Sequence, residues 1–386
     1  MAPVTPKDQT QIEIKPQQPR FSVDCADDSL KGQRVPFFGP LSQKRENTWV
    51  ISLFVMLHLL AFAATMIVND CWQNSHGECA LSPLGRLSFQ PLSENPLLGP
   101  SASALDEMGA LRKTLLTKHH QTWRVFTYPW LHAGVVHLLI NLSSIIFIGV
   151  HLEQEFGPSR IGIIYILSAA FGGVVAALFV QDRPSVSSSG ALFGLLGAMV
   201  SGLIQYWNFY SKKFSALLAF FFIFTINLAL GLMPYINNFS NIGGFISGFL
   251  LGFVLLFSPQ LGQMGKNKGG LFDYDVEDSP KVKLRQKLDK PLMRSVSLVL
   301  FSLIFAGGII AVVHGINVSK YCRWCQYIDC VPSKCWSCND KPIHCETMAT
   351  VGRLTLTCTG TDKFRIFPYT DISQTRIKDL CTLICS

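Results

Sequence analysis

Val186-Ser187-Ser188-Ser189-Gly190-Ala191-Leu192-Phe193-Gly194-Leu195-Leu196-Gly197-Ala198-Met199-Val200-Ser201-Gly202 opens with hydroxyls and continues as an apolar helix. Its small residues Gly190, Gly194, Ala198 and Gly202 recur every four positions, so they share one helical face and admit a second helix at backbone distance. Gly244, Gly248 and Gly252 repeat with the same step further along the chain. The two stretches are expected to pack against each other inside a membrane bundle, with Ser189 at the mouth of the first.

The composition fits that expectation. Of 386 residues, 49% are hydrophobic and only 15% charged, and apolar stretches of roughly 20 residues, each long enough to cross a bilayer, recur along the chain. The fold class is therefore an all-α polytopic membrane helix bundle, whose first partner is the lipid bilayer. The net charge of +8 does not signal nucleic acid, because Lys and Arg gather at the ends of apolar segments, where the positive-inside rule places them. Residues 1–46 have no apolar h-region between their prolines, so a cleavable signal peptide is not expected and a disordered cytosolic tail is.

Seven spans follow in order: about Thr48 to Val68, Thr127 to His151, Ile161 to Val180, Gly190 to Trp207, Ser215 to Leu232, Asn241 to Phe257 and Ser295 to Ile316. The first six, with a polar loop at 70–122, make a core over 47–258. A short charged link, Glu153 to Arg160, joins the second and third spans, and Lys212 and Lys213 mark the loop after the fourth. A basic linker at 259–294 holds Lys281, Lys283, Arg285, Lys287, Lys290 and Arg294 directly before the final span at 295–316, the strongest orientation signal in the chain. The N-terminus is then cytosolic, and loop 70–122 and the tail at 317–386 are lumenal or extracellular, as in a multi-pass protein of the secretory pathway (Golgi or plasma membrane). The tail carries nine of the twelve cysteines, including Cys322-x-x-Cys325 and Cys335-x-x-Cys338. On the lumenal side these are disulfide cysteines rather than zinc ligands, and with nine present one is left to stay free, pair with Cys71 or Cys79, or bond another chain. No metal or cofactor is expected. Asn238-Phe239-Ser240 and Asn317-Val318-Ser319 match the glycosylation pattern but lie too near the membrane boundary for efficient use.

Polar groups inside spans are costly and by default face a bundle interior or a watery cavity. His132, His137 and Asn141 follow H-x4-H-x3-N, which puts His137 and Asn141 on one helical face with His132 on the same side. Such a row can stabilise a developing oxyanion or simply bond helices together, and spacing does not choose between the two. Ser189 is either an N-cap or a nucleophile at the positive end of a helix dipole, which would need a base beside it.

These residues resemble a known family. Trp123-Arg124, His132-x4-His137-x3-Asn141, Ser189-Gly190 and Gly243-Gly244 together, over about Trp123 to Phe257, look like the rhomboid intramembrane serine proteases, and the seventh span with its Cys-Arg-Trp-Cys tail resembles the plant rhomboid-like proteins. The resemblance implies a rhomboid-like six-helix core plus a seventh helix, Ser189 at the nucleophile position, and His137 and Asn141 at the oxyanion positions. The departures matter as much. Where the family has His-x-Gly-Gly the chain reads Asn241-Ile242-Gly243-Gly244, and Ser187 replaces the first glycine of Gly-x-Ser-Gly. An amide cannot hold a transferred proton near neutral pH, so the expected function is that of an inactive pseudoprotease that binds transmembrane client proteins. The alternative is a weakly active intramembrane serine endopeptidase using Ser189 with an unrecognised base or a water chain. A transporter or channel is a third reading, disfavoured by scarce intramembrane charge.

Overall fold

The computed structural model describes residues 48–72, 79–92, 94–207, 213–257, 291–322, 324–333, 338, 345–358, 363–368 and 372–385. The expected tail at 1–46, nearly all of the basic linker, Lys212 and Cys335 lie outside these residues.

Helix α1 (Trp49–Asn69) opens the bundle. Its N-terminus has no side-chain cap of its own. Instead the carboxylate of Glu153 accepts from the backbone N–H of Val50 and Ile51 at 3.0 and 2.9 Å. A buried carboxyl group is tolerated there because it meets two orphan donors at the positive end of a helix. Glu153 was expected in a polar link. It lies inside a helix, and only Gly157, at φ 94°, separates α5 from α6. A left-handed φ at that break suits a residue without Cβ.

The described residues of 70–122 form a folded unit rather than a plain polar loop. It holds a 3₁₀ turn (Ser82–Leu87), α2 (Ala102–Glu107) and α3 (Lys113–Thr117). The Cys71–Cys79 disulfide closes its start, and Asn69 Oδ1 accepts from Gln90 Nε2 and Ser101 N at 3.0 and 2.9 Å. Arg124, in the short α4 (Arg124–Thr127), ties its end down by donating to the carbonyls of Asp106 and Ala110.

A 3₁₀ turn at Tyr128–Trp130 leads to α5 (Val135–Phe156), α6 (Pro158–Phe179), α7 (Ser189–Gln205), α8 (Lys213–Leu230), α9 (Asn238–Leu255) and α10 (Pro291–Val313). Among the described residues α1, α5, α6, α8, α9 and α10 are each long and apolar enough to cross a membrane. The remaining expected span, the fourth in chain order, is α7, which has 17 residues. At about 1.5 Å rise per residue it is shorter than a hydrocarbon core of roughly 30 Å, so at least one of its ends lies within the bilayer's thickness. Helix α7 is sheathed by its neighbours, most closely by α9.

The glycine-stepped faces meet as expected. A Cβ at Gly244 would strike the carbonyl of Gly190, one at Gly248 the carbonyl of Gly194, and one at Gly252 the Ser201 hydroxyl and Ala198 Cα. Gly202 departs from the expectation: a Cβ there would meet only side-chain carbons of Leu256 and Phe156, 3.6 Å or more away. Gly197, off the predicted stripe, faces the Phe245 carbonyl.

Past α10 the chain builds a small disulfide-bonded unit. After a short helix α11 (Gln326–Asp329) come three antiparallel strands in the order β1 (Cys345–Thr350), β2 (Arg353–Cys358) and β3 (Phe364–Phe367), with Cys345 opposite Cys358 and Leu354 opposite Phe367. Leu354, Leu356 and Phe367 are buried against Leu380 and Cys381 of α12 (Gln374–Cys385). Cys345–Cys381 and Cys358–Cys385 staple that helix to the sheet, while Cys322–Cys325 and Cys330–Cys338 close the entry. Cys71 and Cys79 pair with each other, so neither takes a tail cysteine. Both sequon asparagines are engaged: Asn238 Nδ2 donates to Leu228 O, and Asn317 Nδ2 to Val180 O.

Gly248→Val tests the helix contact, since it forces α7 and α9 apart at backbone. It is expected to cost about 3 kcal/mol or more, seen as a lowered melting temperature of detergent-solubilised protein. Gly307→Ala, where nothing lies within 4 Å of an added Cβ, should not lower that temperature, since alanine favours a helix interior over glycine.

Candidate functional site

Two loops clamp the strand that enters α7. Ser185 pairs with Leu111 through Leu111 N to Ser185 O (2.9 Å) and Ser185 N to Leu111 O (2.8 Å). On the other side Val186 N donates to Tyr235 O (2.8 Å) and Asn237 N to Val186 O (3.3 Å). The hydroxyls of Ser187, Ser188 and Ser189 are thereby delivered into the bundle, all of them buried.

Ser189 is the first residue of α7, and its hydroxyl does not cap the helix; the N-cap position belongs to Ser188, which makes no side-chain cap either. The N-cap reading of Ser189 therefore fails. Its Oγ donates to Asn241 Oδ1 at 2.7 Å. Asn241 stands in the first turn of α9, whose N-terminus is capped by Asn237 accepting from Ser240 N at 3.2 Å. The other end of the Asn241 amide is used as well, Nδ2 donating to Asn238 Oδ1 at 2.9 Å. Ser187 Oγ completes the group, 3.2 Å from Ser189 Oγ and 3.4 Å from Asn241 Oδ1.

The second constellation lies on α5 and just before it. Asn141 Nδ2 donates to Ser188 Oγ at 2.9 Å and lies 3.3 Å from His132 Nε2. His132 is not on the helix as expected, since α5 begins at Val135. An extended segment carries it, and its ring meets those of His137 and His58, both at 5.1 Å between centroids. His137 Nδ1 accepts from Ala133 N at 3.3 Å, which leaves its proton on Nε2. His137 Nε2, His132 Nδ1 and Asn141 Oδ1 are buried without hydrogen-bond partners among the described residues. Two N–H groups and one amide oxygen beside a serine-lined helix start could hold a substrate carbonyl or a water.

Sequence reasoning missed three contributors. His58 of α1 lies 2.6 Å from Tyr165 OH through Nε2, extending the histidine row to α6. Ser188 links the two constellations. Tyr128 OH donates to Ser240 Oγ at 2.7 Å, one residue from Asn241. The same rule that singled out His132, that a polar group inside a span has a partner, would have found His58. His314, by contrast, lies exposed beyond α10.

Chemically, the serine proton points at an amide oxygen. That oxygen can accept a hydrogen bond but cannot take up the proton. No imidazole or carboxylate bonds Ser189 among the described residues.

Residues 119–258 match the Rhomboid domain. The chain is 50% identical over 339 residues to "Inactive RHOMBOID-like protein 8" of Arabidopsis thaliana, covering 87% of this chain and 96% of that one. It is 42% identical over 339 residues to "RHOMBOID-like protein 1" of the same plant, covering 87% and 85%. A more distant likeness, 32% over 272 residues, is to "Inactive rhomboid protein 1" of Danio rerio, covering 69% of this chain and 29% of that protein. The matched region contains α5 to α9 with Ser189, Asn241, His137 and Asn141, and the match extends over most of the chain: it belongs to the rhomboid family of multi-pass membrane proteins.

Proposed function

We propose that the chain is a catalytically inactive rhomboid, with Ser189 at the nucleophile position, Asn241 in place of the general base, and His137 and Asn141 at the oxyanion positions. The observation that carries this is the 2.7 Å hydrogen bond from Ser189 Oγ to Asn241 Oδ1. In this reading an amide stands where proton transfer would need an imidazole. In a soluble serine protease, losing the base lowers kcat on the order of 10⁶-fold. The name of the Arabidopsis relative that is 50% identical, which begins with "Inactive", supports the same reading.

The function left to such a scaffold is to hold the transmembrane helix of a client protein and so to change that client's trafficking or stability. The domain plan accompanies it: tail 1–46 and linker 259–294 on the cytosolic side, six-span core 47–258, seventh span 295–316, and loop 70–122 with tail 317–386 in an oxidising lumen. Among the described residues five disulfides, all in those last two segments, support that sidedness, and with it a Golgi or plasma-membrane address.

Purified protein incubated with a helix-destabilised transmembrane substrate is expected to give the same trace cleavage as Ser189→Ala. Serine-dependent product would establish the weak-protease alternative instead. Asn241→His should recover only part of an ordinary rhomboid's rate, because Ser187 Oγ sits within 3.4 Å of the position 241 side chain and competes for the new imidazole. Full recovery would show that Ser187 is harmless. For client binding, co-purification from membranes should recover single-span proteins with wild-type chain and lose them with Gly248→Val.

A further inference from the structure

The disulfide-bonded tail reaches the site through hydrogen bonds. Asn238, whose Oδ1 holds Asn241, donates Nδ2 to Ile328 O at 2.8 Å, and its backbone N–H donates to Asp329 Oδ1 at 2.8 Å. Val331 N donates to Leu232 O at 3.1 Å. The tail thus grips both ends of the α8–α9 loop, whose middle pairs with Val186 at the entry to the serines. Its other end holds the folded unit between α1 and α4. There the Arg376 guanidinium binds the Glu94 carboxylate and the Gln90 side chain, and Asp379 Oδ2 accepts from Ser103 N at 2.8 Å. From Ser189 to the tail is a continuous series: Ser189 to Asn241, Asn241 to Asn238, Asn238 to Ile328.

We propose that the Cys-rich tail is a proton-sensitive lid, which when docked locks the α8–α9 loop over Ser189 and Asn241 and which docks more tightly in acid than at neutral pH. This deepens the scaffold reading above, and rests on it only for what the open lid would admit, a client helix.

Docking buries carboxyl groups, and a buried carboxylate is disfavoured relative to its neutral form. Burial pushes Asp329 up to about 7, against the pull of Arg183 and of the backbone N–H groups of Asn238 and Phe239. Tyr128 faces it from the 3₁₀ turn. Asp379 is raised by burial and by Glu94, against Arg376, the Ser103 side chain and Arg112, with Asp106 and Tyr235 also nearby. Asp106 is raised to about 6, again chiefly by burial and opposed first by Arg112. An undocked carboxyl titrates near 4, so the docked state binds more protons. For Asp329 the stabilisation is complete below about pH 4 and is lost as the pH rises through about 7. Between pH 5.5 and 7.5 Asp329 alone moves the docking equilibrium on the order of tenfold.

Hydrogen exchange on the full chain in nanodiscs reads this directly. After correction for intrinsic rates, amides of residues 231–240 should be protected on the order of tenfold more at pH 5.5 than at pH 7.5. Asp329→Asn should shrink that difference, and Arg376→Ala should lower protection at both pH values. Equal protection of the wild type at the two pH values overturns the lid, as does an undiminished difference in Asp329→Asn. The wild-type comparison needs no variant to fold. Neither readout involves proteolysis or a client, so loss of the lid leaves the inactive-scaffold reading in place, and serine-dependent cleavage would overturn that reading without touching the lid.

Discussion

The approach of α7 to α9 at backbone distance is the constraint on which the rest of the molecule depends. Between helices in lipid there is little hydrophobic drive, and association relies on close packing and interhelical hydrogen bonds. Gly244 against the Gly190 carbonyl and Gly248 against the Gly194 carbonyl supply the packing. Ser168 and Ser247, joined at 3.0 Å, add a buried hydrogen bond that brings α6 into the same seam. Because the two helices meet this closely at their starts, the first residue of α7 and the first turn of α9 have no freedom to separate. Ser189 and Asn241 are kept close by glycine contacts made further along the same two helices.

The site that results is polar, buried and largely satisfied. An asparagine at 241 accepts from Ser189 and donates to Asn238 at once, so neither polar atom of its buried side chain is left unpaired. Networks of this kind stabilise only when complete. The asparagine at 241 therefore sits in the bundle without disturbing its architecture. The second constellation is different in character: its histidines and Asn141 retain buried atoms without partners among the described residues.

Much of this was legible from residue identities. The glycine step exposed the α7–α9 contact, H-x4-H-x3-N the second constellation, and Asn241 the altered chemistry. The failures have physical causes. His132 sits before α5 because Gly134, at φ 174°, holds an extended backbone ahead of the helix, and spacing alone cannot show where a helix starts. Glu153 looked like a loop residue because its partners are backbone N–H groups of α1, some 100 positions away. The region 70–122 looked like a plain loop because its order comes from buried polar side chains such as Gln90 and Asn95 rather than from apolar periodicity.

The pairing of Arg376 with Glu94 joins residues 282 positions apart. During synthesis the first folded unit emerges and closes its own Cys71–Cys79 bridge long before its distant partner has been translated. Every span and the strands of the tail must be in place before that ion pair can form, and loop closure over such a separation is entropically slow. The surface around Glu94 and Gln90 therefore passes through biogenesis uncovered, and chains interrupted before the last helix would leave it to the quality-control machinery of the membrane in which they are made.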